Sequence, residues 1–247
     1  MILVVKDAAS TVQRAIESVL DQSGVRIELV VVDGASSDST VVILHRFRDR
    51  IARLFSEPDN GIADAMNKGL AASRGDWIYF LGADDRLAGG DAIASMFRLA
   101  AGRQANILAG SVVIEDSAGR SRRLDPRGFG FGANFKTPLL HQGVLCRRTL
   151  FDRIGDFDRS LRIGMDYDFF LRAHRRGESI VDIDSVVAVM DGRGVGSRTD
   201  WPSLSRRIRE ERVVHLRHCN SFLLRLLYTA YHPTYFLYRR LRAWIGA

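Results

Sequence analysis

The sequence has little cysteine and no long apolar run. Its 247 residues include two cysteines, Cys146 and Cys219, which lie far apart and form no Cys-x-x-Cys pair. A disulfide framework or a zinc site is therefore not indicated. The sequence contains no stretch of about 20 apolar residues, the length that a helix needs to cross a bilayer. The apolar start, Met1–Val5, is followed too soon by Lys6 and Asp7 to form a signal peptide. We expect a protein of the reducing cytosol.

The composition excludes the non-globular classes of protein. Hydrophobic residues make up 46% of the chain and charged residues 26%, which are ordinary values for a soluble globular protein. The length suits one large α/β domain, or a smaller domain with an appendage. We therefore expect a chain that folds around a sizeable apolar core.

Positive charge is concentrated at the C-terminus. The formal net charge is +7, and residues 203–247 carry nine arginines against Glu210 and Glu211, so the residues before them are neutral overall. A nucleic-acid-binding protein would spread such charge over its main surface, so no nucleic-acid partner is expected. A basic segment that also carries large apolar side chains is typical of a membrane-surface element. These side chains are Phe222, Leu223, Leu224, Leu226, Leu227, Tyr231, Tyr235, Phe236 and Trp244.

The first half of the chain predicts alternating strands and helices. Near-continuous apolar runs are typical of parallel strands covered on both faces, and apolar residues at helical spacing predict the helices between them. The predicted strands are Ile2–Val5, Ile27–Val32, Arg53–Ser56 and Asp76–Leu81. The first predicted helix begins at the capping-box pattern Ser10-x-x-Gln13. Three further helices are predicted at Thr40–Phe47, Ile62–Leu70 and Asp91–Ala101. This alternation indicates a doubly wound parallel sheet, whose ligands bind beyond the carboxyl ends of its strands.

The second half predicts mixed strands and helices. Residues 126–137 are rich in glycine and aromatic side chains and have no clear period. The predicted strands are a pair at Ile107–Glu115 and Arg120–Leu124 and two strand-like runs at 180–183 and 186–190. A helix is predicted at Asp166–Arg176 and a flexible loop at 191–199. A basic helix is predicted from Pro202, followed by an amphipathic segment at 222–245 that is interrupted near Pro233.

Aspartates stand where ligands of such a sheet are expected to bind. Asp33 ends the second strand, the pair Asp84-Asp85 follows the fourth, and Asp166 with Asp168 opens a helix. A single aspartate at such a place is usually a turn or N-cap residue. Two adjacent carboxylates repel each other, and an oxygen-preferring Mg²⁺ or Mn²⁺ would relieve the repulsion while holding a diphosphate. The spacing alone leaves both a metal site and a solvated turn open for the pair.

Four motifs occur in the same order as in a known enzyme family. They are Val-Val-Asp-Gly-Ala-Ser-Ser-Asp-Ser-Thr (31–40), Ser-Glu-Pro-Asp-Asn-Gly-Ile-Ala-Asp-Ala-Met-Asn-Lys-Gly (56–69), Gly-Asp-Trp-Ile-Tyr-Phe-Leu-Gly-Ala-Asp-Asp (75–85) and Met-Asp-Tyr-Asp-Phe-Phe-Leu-Arg (165–172). They resemble the family 2 glycosyltransferases of the GT-A fold, in particular the bacterial exopolysaccharide and O-antigen type. The resemblance implies a Rossmann-like α/β sandwich for nucleotide-diphospho-sugars, with a mainly parallel central sheet and C-terminal helices.

The resemblance also implies a division of the chain. Residues 1–200 would form the catalytic domain, with a nucleotide-sugar-binding half at 1–100 and an acceptor half at 101–200, and residues 201–247 would form a basic amphipathic helical tail. The implied reaction transfers a single sugar, with inversion, from a nucleotide-diphosphate sugar to a glycan or polyprenyl-linked glycan, and the family resemblance implies a UDP-linked donor. The expected cofactor is Mn²⁺ or Mg²⁺. The expected place is the cytosolic face of the membrane, in cell-surface polysaccharide synthesis.

Site residues are carried over by their position in the motifs. Asp33 corresponds to a contact with the nucleoside, and Asp84-Asp85 to the metal site, with Asp85 as the direct ligand. Asp166 occupies the position of the general base, which removes the acceptor hydroxyl's proton as that oxygen attacks the anomeric carbon. From the residues alone, the other candidates could equally be exposed charges, helix caps or a structural histidine. These candidates are Asp64, Asn67 and Lys68 for the nucleotide sugar, and His141 and Asp168 for the donor or acceptor pocket.

The chain departs from the family pattern at three places. Lys6 and Asp7 stand where the family has an aromatic-Asn pair after a longer first strand, and Ser39 replaces a common glycine. The Gln-x-x-Arg-Trp motif of processive synthases is absent from the sequence. Processive polysaccharide synthesis is therefore not expected.

Other functions stay open at this point. A sugar-phosphate nucleotidylyltransferase shares the general architecture, but residues 6–14 lack the Gly-rich, basic phosphate loop that it would need. A catalytically impaired nucleotide-sugar-binding or partner subunit would keep the fold without turnover. The C-terminal segment could meet an anionic membrane, pack on the domain, form a homodimer contact or, less in keeping with its composition, touch nucleic acid.

Overall fold

The computed structural model describes residues 1–116, 118–192, 194, 200–219 and 221–245, and of residues 243–245 only the backbone. Within these residues nine strands form one sheet, with α-helices on both of its faces. The strands are β1 (Ile2–Val5), β2 (Val30–Asp33), β3 (Arg53–Ser56), β4 (Trp77–Gly82), β5 (Arg86–Leu87), β6 (Ile107–Glu115), β7 (Ser121–Leu124), β8 (Val144–Arg147) and β9 (Ile180–Asp191). The helices are α1 (Val12–Leu20), α2 (Thr40–Arg46), α3 (Ile62–Ala72), α4 (Ala92–Leu99), α5 (Arg148–Ile154), α6 (Met165–Arg175), α7 (Trp201–Arg217) and α8 (Phe222–Ile245).

The sheet has a parallel half and a mixed half. Its order is β3-β2-β1-β4-β8-β6-β9-β5, with β7 paired to β6. The first four strands of this order are parallel, whereas β8 runs antiparallel to both of its neighbours, β4 and β6. β9 then runs parallel to β6. The structure thus has the α/β sandwich that the sequence predicts, with the alternating first half as the parallel part.

Apolar side chains cover the sheet on both faces. On one face α3, α5 and α6 pack over the strands, and on the other α1, α2 and α4. α3 crosses β1 so closely that a Cβ on Gly69 would lie 2.3 Å from the Ile2 side chain, which explains a glycine inside this helix. The near-continuous apolar runs of the parallel strands are therefore explained by burial on both sides.

Several local predictions differ from the structure. α1 has no side-chain hydrogen bond at its N-cap, and Gln13 donates instead to Glu17 at 2.9 Å, so the predicted capping box is wrong. The two runs at 180–183 and 186–190 form one strand, β9. α8 continues through Pro233, because packing of Tyr228 and His232 against the domain outweighs the local preference. Three short elements, β5, β8 and α5, had no clear sequence signal.

The predicted loop at 191–199 and the predicted tail need separate comment. Residues 193 and 195–199 of the loop lie outside the described residues. α7 begins as predicted, with Pro202 in its first turn and the Asp200 carboxylate accepting the Ser203 N–H at 3.0 Å. Its side chains Leu204, Ile208 and Val214 are buried. α7 therefore packs as part of the domain rather than as an appendage.

No helix in the described part of the chain is long and apolar enough to span a bilayer. This agrees with the absence of a long apolar run in the sequence.

Candidate active site

The carboxyl ends of three parallel strands meet at one edge of the sheet. Val5 of β1 pairs with Asp33 of β2, and Val4 pairs with Gly82 of β4. Since neighbouring strands lie about 4.8 Å apart, the ends of β2 and β4 are separated by roughly 10 Å. Asp33 and Asp84 therefore share the edge at which doubly wound sheets bind their ligands.

Asp33 is held rigidly at this edge. It is fully buried, and its carboxylate accepts hydrogen bonds from the Ser36 N–H at 3.1 Å, the Ser36 hydroxyl and the Ser56 hydroxyl at 2.7 Å. A carboxylate has about four acceptor positions. One position on Oδ1 stays available for a donor group of a bound ligand.

The backbone beside Asp33 is strained. Ala35 has a φ of 56° and Asp7 a φ of 47°, which residues other than glycine rarely adopt. The two turns are tied together, since the Asp7 N–H donates to the Ser36 hydroxyl at 2.8 Å and the Ser37 N–H donates to the Asp7 carboxylate at 2.7 Å. Such strain persists where the surrounding contacts fix it, often at binding sites. Asp7, which departs from the family pattern, thus forms part of the wall next to Asp33.

The carboxylates of Asp84 and Asp85 converge over Gly82. A Cβ on Gly82 would lie 2.8 Å from Asp84 Oδ1 and 3.0 Å from Asp85 Oδ2, and a Cβ on Gly194 would lie 2.9 Å from Asp84 Oδ2. The two glycines therefore leave open the space that these oxygens face. Asp84 is half-buried, and Asp85 is buried.

Asp85 is ionised only at an energetic cost. Burial, followed by the charge of Asp84, raises the pKa of Asp85 to about 6. Two hydrogen bonds act in the opposite direction: the Gln142 amide donates to Asp85 Oδ2 and the Asp191 N–H donates to Oδ1, both at 3.1 Å. A cation next to Asp84 and Asp85 would remove this cost.

The carboxylates of Asp84 and Asp85 suit a divalent cation whose remaining coordination positions are filled by the substrate. Mg²⁺ commonly takes one or two protein carboxylates and fills its remaining positions with water and phosphate oxygens. Among the described residues, no cluster of three or more His, Cys, Asp or Glu side chains could hold a metal by itself. The pair Asp84-Asp85 would therefore share the cation with the oxygens of a bound diphosphate.

Two adjacent residues connect this pair with Asp166. His141 and Gln142 lie in a short 3₁₀ turn, His141–Gly143, directly before β8. Gln142 bonds to Asp85, and His141 Nδ1 lies 3.2 Å from Asp166 Oδ2. The predicted cation site and the predicted base are thus brought to the two sides of one turn. The sequence resemblance pointed to His141, whereas nothing in the sequence singled out Gln142.

Asp166 lies in the first turn of α6 and does not cap it. The N-cap residue is Gly164, and Asp166 Oδ1 accepts the N–H of the adjacent Tyr167 at 2.7 Å. Its side chain is 15% exposed, so a substrate hydroxyl can reach it. A helix N-terminus favours a negative charge, so this position suits a carboxylate.

Glu210 of α7 holds the segment that leads into α6. Its Oε2 atom accepts the backbone N–H groups of Arg162, Ile163 and Gly164 at 3.0, 2.7 and 2.9 Å. Hydrogen bonds to a charged acceptor are stronger than neutral ones. One carboxylate therefore fixes the backbone two residues before Asp166, a contact that the sequence did not predict.

The substitution Glu210→Gln tests this positioning. We expect kcat to fall roughly tenfold and the donor KM to change little, because a displacement of the base impairs catalysis more than donor binding. Steady-state kinetics measure the split, and Glu211→Gln on the same turn is the matched control. An unchanged kcat would show that the contact does not position Asp166.

Asp168 lies in an ion-pair cluster and not beside Asp166. Residues two apart in a helix do not face each other. Asp168 is buried and contacts Arg172 Nε at 2.9 Å, Arg217 Nη1 at 3.0 Å and His218 Nε2 at 2.9 Å. Burial alone would raise its pKa, but the His218 hydrogen bond and the Arg172 charge outweigh it and hold the pKa of Asp168 at about 2. The side chain joins α6 to α7, and its place in the donor or acceptor pocket stays a prediction.

Asp168→Asn is expected to destabilise the fold by ~3 kcal/mol, because it removes the buried counter-ion of Arg172 and one of the two counter-ions of Arg217. Since its folded pKa lies below the unfolded value, the carboxylate contributes stability above about pH 4 and loses it as the pH falls towards 2. Urea unfolding at several pH values measures both effects. Asp152→Asn, on an exposed position of α5, is the control. Equal midpoints for the two variants would contradict this account.

The three candidates on α3 have protein partners. The Asn67 amide donates to the Phe157 carbonyl at 2.8 Å and accepts the Phe157 N–H at 3.1 Å, fully inside the protein. Lys68 pairs with Glu57 at 2.8 Å. Asp64 is buried, accepts the Asn60 N–H at 3.1 Å and lies 3.3 Å from Arg159. Asn67 therefore serves the packing of α3, and a phosphate at Lys68 would have to compete with Glu57.

Comparisons with known proteins agree on one family. A sequence profile described as Glycosyl transferase family 2 matches residues 1–163. A PGL/p-HBAD biosynthesis glycosyltransferase of Mycobacterium bovis (strain BCG / Pasteur 1173P2) is 30% identical over 173 residues, 67% of this chain and 65% of that protein. The succinoglycan biosynthesis protein ExoO of Rhizobium meliloti (strain 1021) is 32% identical over 178 residues, 65% of this chain and 51% of that protein. The matches thus span less than two thirds of the length of these curated relatives.

A solved structure shows the same fold. The mannosyltransferase of Pyrobaculum calidifontis in complex with GDP-Man and Mn²⁺ superimposes with a TM-score of 0.66 at 20% identity, covering 98% of this chain and 68% of that one. At such low identity the similarity concerns the fold alone.

Proposed function

The chain belongs to glycosyl transferase family 2, and from this premise we propose that it transfers a single sugar, with inversion, from a nucleotide-diphosphate sugar to a hydroxyl of a glycan or lipid-linked glycan. The observation that carries the proposal is the turn at His141-Gln142, which bonds to Asp85 on one side and contacts Asp166 on the other. A group that receives the leaving diphosphate and a group that activates the acceptor are both needed for a direct displacement.

On the donor side, Asp33 accepts a hydrogen bond from the nucleoside and the Asp84-Asp85 pair lies at the diphosphate. The separation of the ends of β2 and β4, roughly 10 Å, suits the length of a nucleoside diphosphate. A bound Mn²⁺ or Mg²⁺ would stabilise the charge of the departing diphosphate as a Lewis acid. Asp85 is the direct ligand in this proposal, and Asp84 shares the charge.

On the acceptor side, Asp166 removes the proton of the attacking hydroxyl through Oδ2. With its proton on Nδ1, His141 donates to this oxygen and orients it before the acceptor arrives. The Glu210 contact holds the preceding backbone in place. After one displacement the sugar is inverted, because the scheme includes no covalent intermediate with the protein.

The acceptor class rests on the relatives. One is a succinoglycan biosynthesis protein, and the sequence resemblance points to cell-surface polysaccharide. We propose the same class of acceptor, glycan or polyprenyl-linked glycan, reached at the cytosolic face of a membrane.

Thermal unfolding with a panel of nucleotide sugars and Mn²⁺ tests the donor. A ligand that binds only the folded state adds about 2.7 kcal/mol of stability at a hundredfold excess over its Kd, so the true donor should stand out. We place UDP-sugars first, on the family resemblance, and include GDP-sugars because the structural neighbour holds GDP-Man. If no nucleotide sugar shifts the unfolding temperature, the proposed donor class is wrong.

A further inference from the structure

Helix α8 exposes large apolar side chains on the side that points away from the domain. Tyr228 and His232 face the domain and are buried. The opposite side carries seven of the thirteen large hydrophobic side chains that are exposed among the described residues. These seven are Phe222 (78% exposed), Leu223 (67%), Leu226 (52%), Leu227 (44%), Leu237 (56%), Tyr238 (52%) and Leu241 (49%).

These side chains form one stripe and not scattered contacts. At about 100° per residue, positions 222, 226 and 237 lie close together around the helix, and 223, 241 and 227 continue the same side. The stripe therefore covers nearly half of the helix circumference in two groups, at 222–227 and 237–241, and between them the same side carries Ala230, Pro233 and Thr234. Soluble proteins rarely expose a contiguous apolar patch of this kind without a partner for it.

The charges of α8 are all of one sign. Its described side chains include Arg225, Arg239, Arg240 and Arg242, and the helix sequence, residues 222–245, contains no acidic residue. Arg239 reaches the Tyr235 hydroxyl at 3.0 Å, and Arg240 lies over the Trp201 ring. At about 100° per residue, Arg240 and Arg242 lie at the two borders of the stripe, where anionic groups would meet them, whereas Arg239 lies on the side of Tyr228 and His232.

We propose that α8 lies in the headgroup region of an anionic bilayer, with its stripe inserted among the acyl chains and its arginines at the lipid phosphates. Apolar insertion combined with attraction to anionic lipid is the usual basis of such binding. The helix lies on the membrane and does not cross it, in agreement with the absence of a spanning helix in the described residues. α7 buries Leu204, Ile208 and Val214 in the domain and exposes Val213 and Leu216, so we assign the contact to the larger apolar face of α8.

A second copy of the chain fits this face less well. An α8–α8 contact would bring together two helices with four arginines each and no carboxylate of their own to pair with them. Like charges across an interface are unfavourable. An anionic lipid leaflet provides both acyl chains that can contact the apolar stripe and negative charges that can pair with the arginines.

The same helix contacts the acceptor half of the site. The Tyr228 hydroxyl donates to the Asn134 carbonyl at 2.8 Å, and the Phe135 ring packs edge-on against Tyr228 and Tyr231. From the other side, the Tyr167 hydroxyl, one residue after Asp166, donates to the Ala133 carbonyl at 2.7 Å. Residues 133–135 thus link the membrane helix to the base. This arrangement would bring a lipid-linked acceptor to Asp166, a step that rests on the proposed function, whereas the membrane contact itself does not.

Co-sedimentation of the full chain with vesicles tests the proposal. Vesicles of phosphatidylcholine mixed with phosphatidylglycerol should bind the wild-type protein at least about tenfold more strongly than pure phosphatidylcholine, and high salt should weaken the binding. The double variant Leu226→Glu, Leu227→Glu should lose roughly tenfold or more of this binding. Val42→Glu, at an equally exposed apolar position on α2, is the matched control and should bind like the wild type.

Three results would overturn the membrane contact. The first is a wild-type protein that stays in the supernatant, and the second is a double variant that sediments as well as the wild type. The third is a wild-type dimer in light scattering that becomes a monomer in the double variant, which would show that a second copy of the chain covers the stripe. Circular dichroism melting and nucleotide-sugar stabilisation, measured on each variant, show that the fold is intact. A failure of donor binding alone would affect the proposed reaction and leave the membrane contact standing.

Discussion

Replacing Asp166 with asparagine is expected to lower kcat by ~10²–10⁴-fold, the usual contribution of a general base. Asparagine has the same shape and can still accept the Tyr167 N–H, but it cannot take a proton. In the proposed site the donor binds on the other side of the His141-Gln142 turn, so the donor Kd should stay within about twofold. Steady-state kinetics and donor titration of the same preparation measure the two quantities.

The control for this variant is Asp152→Asn, an identical change at an exposed position of α5, which should leave kcat unchanged. A kcat for Asp166→Asn close to that of the control would show that another group activates the acceptor. A loss of donor affinity in parallel with kcat would instead place Asp166 in the donor site.

Asp85→Asn is expected to abolish transfer and yet to stabilise the metal-free protein. Burial and the Asp84 charge raise the pKa of Asp85 to about 6, so folded protein binds this proton more tightly than unfolded protein. Stability therefore falls as the pH rises from about 4 to 6 and stays lower above that range. A neutral side chain removes this cost, and we expect a gain of about 1–2 kcal/mol, reduced because asparagine cannot accept both the Gln142 and the Asp191 hydrogen bonds.

Urea unfolding in the presence of a chelator measures the gain in stability, and Mn²⁺-dependent nucleoside diphosphate release measures the loss of activity. Asp152→Asn, at an exposed position of α5, is the control, because Asp84→Asn would itself remove part of the cost at Asp85. In the wild type, the apparent affinity for Mn²⁺ should fall as the pH drops through 6, where Asp85 takes up a proton. Full transfer activity in Asp85→Asn would remove the residue from the cation site.

Replacing Asp85 and replacing Asp168 with asparagine should have opposite effects on stability, and this difference distinguishes a binding residue from a structural one. Asp168 is stabilised by three partners, so its loss should weaken the fold, whereas Asp85 has an unfavourable charge, so its loss should strengthen it. Perturbed carboxylates of the second kind are typical of functional sites. Both residues are aspartates in short acidic motifs, and their opposite effects on stability could not be predicted from the sequence.

The parallel half of the fold could be predicted from the sequence because it depends on local patterns. β1 and β3 have the predicted bounds, and Asp33 and Asp84 follow from the rule that parallel strands end at one edge. The antiparallel strand β8 could not be predicted, because its position between β4 and β6 is set by contacts distant in sequence. The same holds for Gln142, which meets Asp85 across 57 positions of the chain.

The C-terminal segment differs from the prediction based on its charge and apolar content. Its arginines and aromatics suggested one amphipathic tail over 201–247. In the structure, Glu210, Arg217 and His218 of this segment bind residues before and within α6, so α7 supports the site. Only α8 keeps the exposed stripe. The sequence predicted two segments here but could not show that α7 packs on the domain, because the partners of α7 lie about 50 residues earlier in the chain.

The identity of the nucleotide product tests the central claim most directly. Purified protein is incubated with the stabilising nucleotide sugar, Mn²⁺ and a glycan acceptor, and the nucleotides are identified by ³¹P NMR. Glycosyl transfer predicts a nucleoside diphosphate, formed together with a glycosylated acceptor and suppressed in Asp166→Asn. Appearance of a nucleoside triphosphate when pyrophosphate is supplied, or binding of the donor with no nucleotide released, would contradict the account.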